Sequence, residues 1–273
     1  MSARDRPPPT SPPRSIEELR RVSQPPEVRT RRNAEHWTAH LYLRDLSPYV
    51  TWLLLRTRIS ANGVTVLMIL TGWLTAAALL LPGVAGALLA LILGQLQMLL
   101  DCCDGEVARW RRTSSPVGHF LDAVGHYSTE TLIVLALGVR AAGYPFEAPG
   151  DFLWTTLAFA LALLIVLNKA LNDLVRVARA SADLPKAPAT EATVAARQRL
   201  VAVARRAVRY FPFHRMFHSV ELTIVTFVVA LIGIVAGHPE TDRVYLVVLV
   251  PLAALALAGH FLMIVNSRRL TAA

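Results

Sequence analysis

The stretch Leu99–Glu130, LLDCCDGEVARWRRTSSPVGHFLDAVGHYSTE, places Asp101, Asp104, Glu106, Asp122, Glu130, His119, His126 and three arginines between segments that are otherwise strongly apolar. The 273-residue chain around it is 54% hydrophobic, with a mean hydropathy of +0.44, which is too apolar for an ordinary soluble domain. A bilayer core about 30 Å thick takes roughly 20 apolar residues per helix. Segments at about 61–81, 84–108, 117–139, 152–172, 218–237 and 243–265 meet that demand, the second, third and fifth of them while carrying ionisable residues. No strand-like alternation competes. The fold expected is all-α: a polytopic membrane protein with six transmembrane helices. The charged stretch then spans the end of the second helix, a short turn and the first half of the third.

Charge sets the expected orientation. Of the 28 Lys and Arg, only Arg140 and Arg243 fall on one side of this arrangement; the other 26 fall on the opposite side. Cytoplasmic flanks carry the excess of basic residues, so six crossings leave both termini and the charged turn in the cytoplasm. The formal charge of +9 suits anionic lipid headgroups; in this setting no nucleic-acid partner is expected. Arginine far outnumbers lysine, and Ala, Leu and Val dominate. That composition is typical of GC-rich bacterial genomes and points to a bacterial inner membrane. The two cysteines, Cys102 and Cys103, are adjacent, and in a reducing compartment they read as small apolar fillers.

Four regions are expected. Residues 1–32, rich in proline, read as a disordered cytoplasmic tail, and no short apolar segment near Met1 marks a cleaved signal peptide. Residues 33–58 mix Trp37, Leu41, Leu43, Leu46 and Trp52 with Arg44, Arg56 and Arg58, the pattern of an interfacial amphipathic helix, with an interruption near Pro48. Residues 59–267 form the transmembrane domain, and 268–273 a second cytoplasmic tail. The Arg-rich stretch at 197–215 has helical periodicity and suits contact with anionic lipid.

Ionisable side chains at membrane depth are costly and mark substrate or ion sites. Asp101 and Asp104 are three residues apart and share a helix face; Ala108 continues that face, Gly105 leaves room beside it, and Arg109 offers a guanidinium able to grip phosphate oxygens in a bidentate way. After RRTSSP, Pro116 suits the first turn of a new helix, on which Gly118, Asp122, His126 and Glu130 recur every four residues, with His119 beside them. Two helices joined by so short a turn pack together, bringing Asp101, Asp104 and Asp122 into one pocket. Their mutual repulsion is relieved best by hard divalent cations, and two such ions suit displacement at phosphorus.

The same residues resemble the signature of the CDP-alcohol phosphotransferase (phosphatidyltransferase) family, D-x2-D-G-x2-A-R-x8-G-x3-D-x3-D, which Asp101, Asp104, Gly105, Ala108, Arg109, Gly118 and Asp122 match. RISANGVT at 58–65 also looks similar to the family's usual text. The resemblance implies a membrane transferase of phospholipid biosynthesis. It would move the phosphatidyl group of a CDP-alcohol such as CDP-diacylglycerol to an acceptor alcohol, phosphorylated or not, with release of CMP. It further implies Mg²⁺ or Mn²⁺, two ions, held by Asp101, Asp104 and Asp122. Asp104, Gly105, Ala108, Arg109 and Gly118 would line the nucleotide site, and the protein would be a homodimer among membrane lipids. Where the signature ends in a fourth aspartate this chain has His126. An imidazole can ligate a metal or deprotonate a hydroxyl, so His126 is expected as ligand and base, Asp122 as its catalytic neighbour, and Glu130, one turn deeper, to orient the imidazole or supply the missing carboxylate. Asn168, Lys169, His218 and Glu221 are further polar candidates, whereas His260 and Asn266 read as structural. The alternatives are a non-catalytic CDP-lipid-binding homologue, a transporter, or an intramembrane prenyltransferase, for which the second Asp-rich motif is missing.

Overall fold

A computed structural model describes residues 12–29, 38–143, 152–184, 217–238, 240–267 and 270, and every regular element among them is helical. The chain divides into two compact units, Met1–Thr129 and Glu130–Ala273. The long helix α6 (Pro116–Ala142) runs through the boundary. The Arg-rich stretch at 197–215 lies outside the described residues, as do residues 1–11, 30–37 and the last three.

The first unit begins with α1 (Ile16–Ser23) and α2 (Pro26–Arg29), where the sequence reads as disordered tail. This is a correction with a visible cause. Ser15 Oγ accepts from the Glu18 amide at 3.1 Å, and Glu18 Oε2 accepts from the Arg14 amide at 2.7 Å. Leu19 is fully buried in a cluster with Leu55, Val64, Met68, Leu100, Val107 and Trp110. A cap contributes about 1 kcal/mol and a buried leucine about 1.5–3 kcal/mol, enough to hold a helix too short to persist alone.

A π-helical turn at Ala39–Leu43 leads into α3 (Arg44–Leu54), which carries Pro48 inside it without a break. The interruption expected near Pro48 is absent because the protein supplies what proline removes. Pro48 has no N–H for the carbonyl of Arg44, four residues earlier; Gln24 Nε2 donates to that carbonyl instead, at 2.6 Å.

The core of the unit pairs α4 (Ala61–Leu79) with α5 (Gly83–Arg111). Ser60 caps α4 by accepting from the Gly63 amide at 3.0 Å. Glu106, on α5, is fully buried. Its Oε1 accepts from Gln24 Nε2 at 2.8 Å and Ser47 Oγ at 2.6 Å, and its Oε2 from Thr51 Oγ1 at 2.7 Å. Taking a carboxylate out of water costs several kcal/mol, and hydrogen bonds to a charged group return about 1.5–3 kcal/mol each; three of them make the burial tolerable. Arg111 donates to the carbonyls of Thr57, at 2.9 Å, and Ile59, fixing the turn that precedes α4. Glycines let α6 press onto α4: a Cβ on Gly72 would stand 2.1 Å from Thr129 Oγ1, and one on Gly125 2.6 Å from Met68 Cε. Cys102 and Cys103 are buried free thiols.

In the second unit, α7 (Leu153–Ser181), α8 (Ser219–Ala236) and α9 (Thr241–Val265) complete the set of long helices. Gly138 of α6 meets α7, where a Cβ would lie 2.3 Å from that of Ala158. The two arginines on the sparsely charged side are both engaged. Arg140 Nε donates to Asp242 Oδ2 at 2.7 Å, and Arg243 Nε to the Ala141 carbonyl at 3.0 Å.

Of the six spans read from sequence, five are helices long and apolar enough to cross a membrane: α4, α5, α7, α8 and α9. The third, α6, has 27 residues, about 40 Å at 1.5 Å per residue, but Asp122, His126, Glu130 and Arg140 make it too polar to qualify on composition. The chain has the architecture of an all-helical polytopic membrane protein.

Candidate active site

The site sits where α5 ends and α6 begins. Arg112 closes α5 in the left-handed conformation, φ 55° and ψ 40°, and the Thr113 amide bonds back to the Ala108 carbonyl at 3.0 Å. This reversal is the usual helix C-terminal device, although glycine is its usual occupant. Three residues later α6 starts: Ser115 Oγ accepts from the Gly118 amide at 3.1 Å, with Pro116 in the first turn, where its missing N–H has no consequence. The positive N-terminal end of a long helix thus abuts the polar end of another.

Asp101, Asp104, Gly105, Ala108, Arg109, Gly118 and Asp122 all line one cavity of about 240 Å³. Spacing predicts the meeting of the three aspartates, and the family resemblance adds the others. The same cavity is lined by Ala61, Asn62 and Thr65 of α4, by Thr113, Ser114 and Ser115 of the turn, and by His119. The α4 residues belong to RISANGVT, whose similarity to the family text was the available signal for them. Thr65 Oγ1 donates to Asp104 Oδ2 at 2.6 Å, and a Cβ on Gly118 would lie 3.1 Å from Asn62 Oδ1. Gly118 is therefore small because α4 comes close.

Gly105 has a similar reason. A Cβ there would stand 2.9 Å from Arg109 Nη1 and 3.2 Å from Nη2, so the guanidinium folds back across the glycine. Arg109 Nε donates to the Ser23 carbonyl at the end of α1, leaving the planar end of the side chain at the cavity.

His126 Nε2 stands 3.0 Å from Asp101 Oδ1 and 3.4 Å from Asp122 Oδ1. Ligand atoms of these three residues all lie within 4.8 Å of one another. Two carboxylates and an imidazole, each half-buried, form a donor set suited to a divalent cation such as Mg²⁺, Mn²⁺ or Zn²⁺. His126 stands beside two of the aspartates of the signature. Asp104 lines the cavity but stands outside that group, turned toward Thr65.

Glu130 is engaged within the second unit. It is buried, with Oε1 2.7 Å from Lys169 Nζ and 3.0 Å from His218 Nδ1. Nearby in chain terms, His260 Nδ1 and Asn168 Oδ1 are 2.9 Å apart, and Glu221 is buried in the first turn of α8. Of these polar groups, Glu130 and Glu221 are buried and the others are partly exposed.

The family model for CDP-alcohol phosphatidyltransferase matches residues 58–267. The chain belongs to that family. No curated protein sequence matches it. The CDP-alcohol phosphatidyltransferase assignment makes the chain a membrane-embedded member of a transferase family that moves a phosphatidyl group from a CDP-alcohol. It also accounts for a cavity that collects carboxylates, an imidazole and a guanidinium within one apolar chain. The matched span begins at Arg58, so α1, α2 and α3 lie outside it.

Proposed function

We propose that this protein transfers the phosphatidyl group of CDP-diacylglycerol, or a close CDP-alcohol, to the hydroxyl of a small polar alcohol and releases CMP, as a step of phospholipid synthesis. The observation that carries this reading is the convergence of the seven matched signature residues on one cavity, with the Asp101–Asp122–His126 ligand set at its edge.

Asp101 and Asp122 would hold a divalent ion, Mg²⁺ or Mn²⁺, with His126 beside them keeping its single lone pair for the acceptor's proton; the ion when bound neutralises pyrophosphate oxygens and favours displacement at phosphorus, and the wider cavity, with Asp104, has the acidity for a second. Arg109 would bind pyrophosphate oxygens through its paired N–H groups, helped by the N-terminal amides of α6. Gly105, Ala108 and Gly118 would give the nucleotide close access to backbone. As the acceptor oxygen bonds to phosphorus, the phosphorus–oxygen bond to CMP breaks, and the hydroxyl proton passes to His126, aligned by Asp122. The basic excess on one side supports a cytoplasmic site and cytoplasmic termini in a bacterial inner membrane. It also favours a phosphorylated acceptor, and the family resemblance favours a homodimer.

The test is CMP release from CDP-diacylglycerol by purified protein with Mn²⁺ or Mg²⁺ across a panel of acceptors, phosphorylated and not. Metal-dependent CMP formation with one acceptor is expected, abolished in Asp122→Asn without loss of folding. Bound CDP-lipid without turnover for any acceptor would instead make the protein a binding homologue that His126 has disarmed.

A further inference from the structure

The short helix Ile16–Ser23 precedes the family-matched span by more than thirty residues, yet two of its contacts reach the centre of the signature. The Ser23 carbonyl accepts from Arg109 Nε. The next residue, Gln24, is buried and donates through Nε2 both to Glu106, at 2.8 Å, and to the carbonyl that Pro48 leaves without a helical donor, at 2.6 Å. Glu106 and Arg109 are on either side of Ala108 in DGEVAR, within one helical turn of each other. Glu106 lines no part of the cavity, and its carboxylate is occupied by Gln24, Ser47 and Thr51.

We propose that Gln24 and Glu106 are positioning residues of the nucleotide site: their bond holds the Ser23 carbonyl in place, and that carbonyl sets where the Arg109 guanidinium stands over Gly105. The argument is geometric. An arginine side chain has four rotatable bonds, and its use as a bidentate phosphate clamp depends on fixing the plane of its fork. Nε is the atom nearest that plane's origin, and here it is tied to a backbone oxygen outside its own helix. That oxygen is only as fixed as the end of α1. Leu19 packs the middle of α1 into the core, and Gln24 pins its end. Gln24 bonds a carboxylate and a carbonyl at once, so both hydrogens of its amide are used in place.

This proposal rests on the reading of Arg109 as a pyrophosphate-binding residue. Its test is a double-mutant cycle in the full-length protein, read as the affinity for soluble CDP in the presence of Mn²⁺ and as KM against kcat for the CDP-alcohol. Gln24→Ala and Glu106→Gln should each weaken CDP binding and raise KM by about tenfold, with kcat changed by less than about threefold. In an Arg109→Ala background the same substitutions should add almost nothing, because the group they position is gone. Gln24→Ala truncates a buried side chain but keeps Leu19 in the core, and a thermal denaturation run beside the binding assay checks that the variant is folded. Should Glu106→Gln fail to fold, Gln24→Ala carries the cycle alone. Wild-type CDP binding that Gln24→Ala leaves unchanged would overturn the positioning role and spare the functional reading, as would full additivity with Arg109→Ala. Wild-type protein that binds no CDP would overturn the functional reading and this proposal with it.

Discussion

Gly105 and Arg109 share one patch of helix surface: with no side chain at 105, the guanidinium of Arg109 lies where a Cβ would come within 2.9 Å of Nη1. The obstacle that alanine would create is the far end of a flexible side chain, not backbone. Gly105→Ala should therefore fold at least as well as the parent, since alanine in a helix interior is favoured over glycine by roughly 0.5–1 kcal/mol. It should nevertheless raise KM for the CDP-alcohol about tenfold, equivalent to about 1.4 kcal/mol, because the guanidinium is displaced. Thermal denaturation in detergent beside steady-state kinetics checks both halves; a normal KM would show that the placement of Arg109 is immaterial.

Thr65 holds Asp104 from a different helix. Thr65→Val preserves shape and removes the hydroxyl that donates to Asp104 Oδ2 at 2.6 Å. The carboxylate is then free to turn toward Asp101 and Asp122, so the concentration of Mn²⁺ needed for half-maximal rate should change several-fold, while CDP affinity measured without metal stays as it was. A metal titration of the two proteins decides it.

His126 can be probed from both sides. His126→Ala should cost roughly 10²-fold or more in rate, the usual contribution of a general base. His126→Asp restores the residue that ends the signature, adds a negative charge to the group containing Asp101 and Asp122, and should tighten divalent binding while retaining turnover. If His126→Ala is fully active, the imidazole is a packing residue and the chemistry belongs to the aspartates.

Gly72 is where α6 comes close against α4. Alanine there would place a methyl 2.1 Å from Thr129 Oγ1. Gly72→Ala should lower stability by about 1–3 kcal/mol, the range for overpacking a well-filled core, and Thr129→Ser or Thr129→Ala in the same chain should recover part of it. Denaturation midpoints of the single and double variants test this.

What could be read from the sequence follows from what leaves a periodic trace. Asp101, Asp104, Gly105, Ala108 and Arg109 lie on one turn-by-turn pattern, and Gly118, Asp122 and His126 on another, so their meeting is deducible from spacing plus a short turn. Glu106 leaves no such trace. It occupies a variable position of the signature, and its partners Gln24, Ser47 and Thr51 come from far along the chain. The helix at Ile16–Ser23 did have a local signal, Ser15 followed by Glu18, the start-of-helix pattern, but the prolines around it dominate the composition. Pro48 misleads for the opposite reason. The rule that proline breaks a helix is local, and the donor that satisfies the Arg44 carbonyl lies twenty residues away. Glu130 repeats at the right interval to serve His126, yet it is engaged by Lys169 and His218, a choice made by helices whose arrangement no one-dimensional period records.

Helix α5 has 29 residues, of which Gly83–Leu100 carry no charge and Asp101–Arg111 carry all five of its charged side chains. At 1.5 Å per residue the first part measures about 27 Å and the second about 16 Å, so a single stiff rod stands partly in oil and partly in water. The oil-filled part acts as a depth gauge. Under the proposed function it would fix how far above the acyl chains the carboxylates ride, and so bring a greasy donor and a water-borne acceptor to the same level. Lengthening that apolar part by one residue would lift the whole constellation by about 1.5 Å and rotate it by about 100°. The register of the proposed reaction with the lipid surface would therefore be written in a count of leucines and alanines that line no part of the cavity.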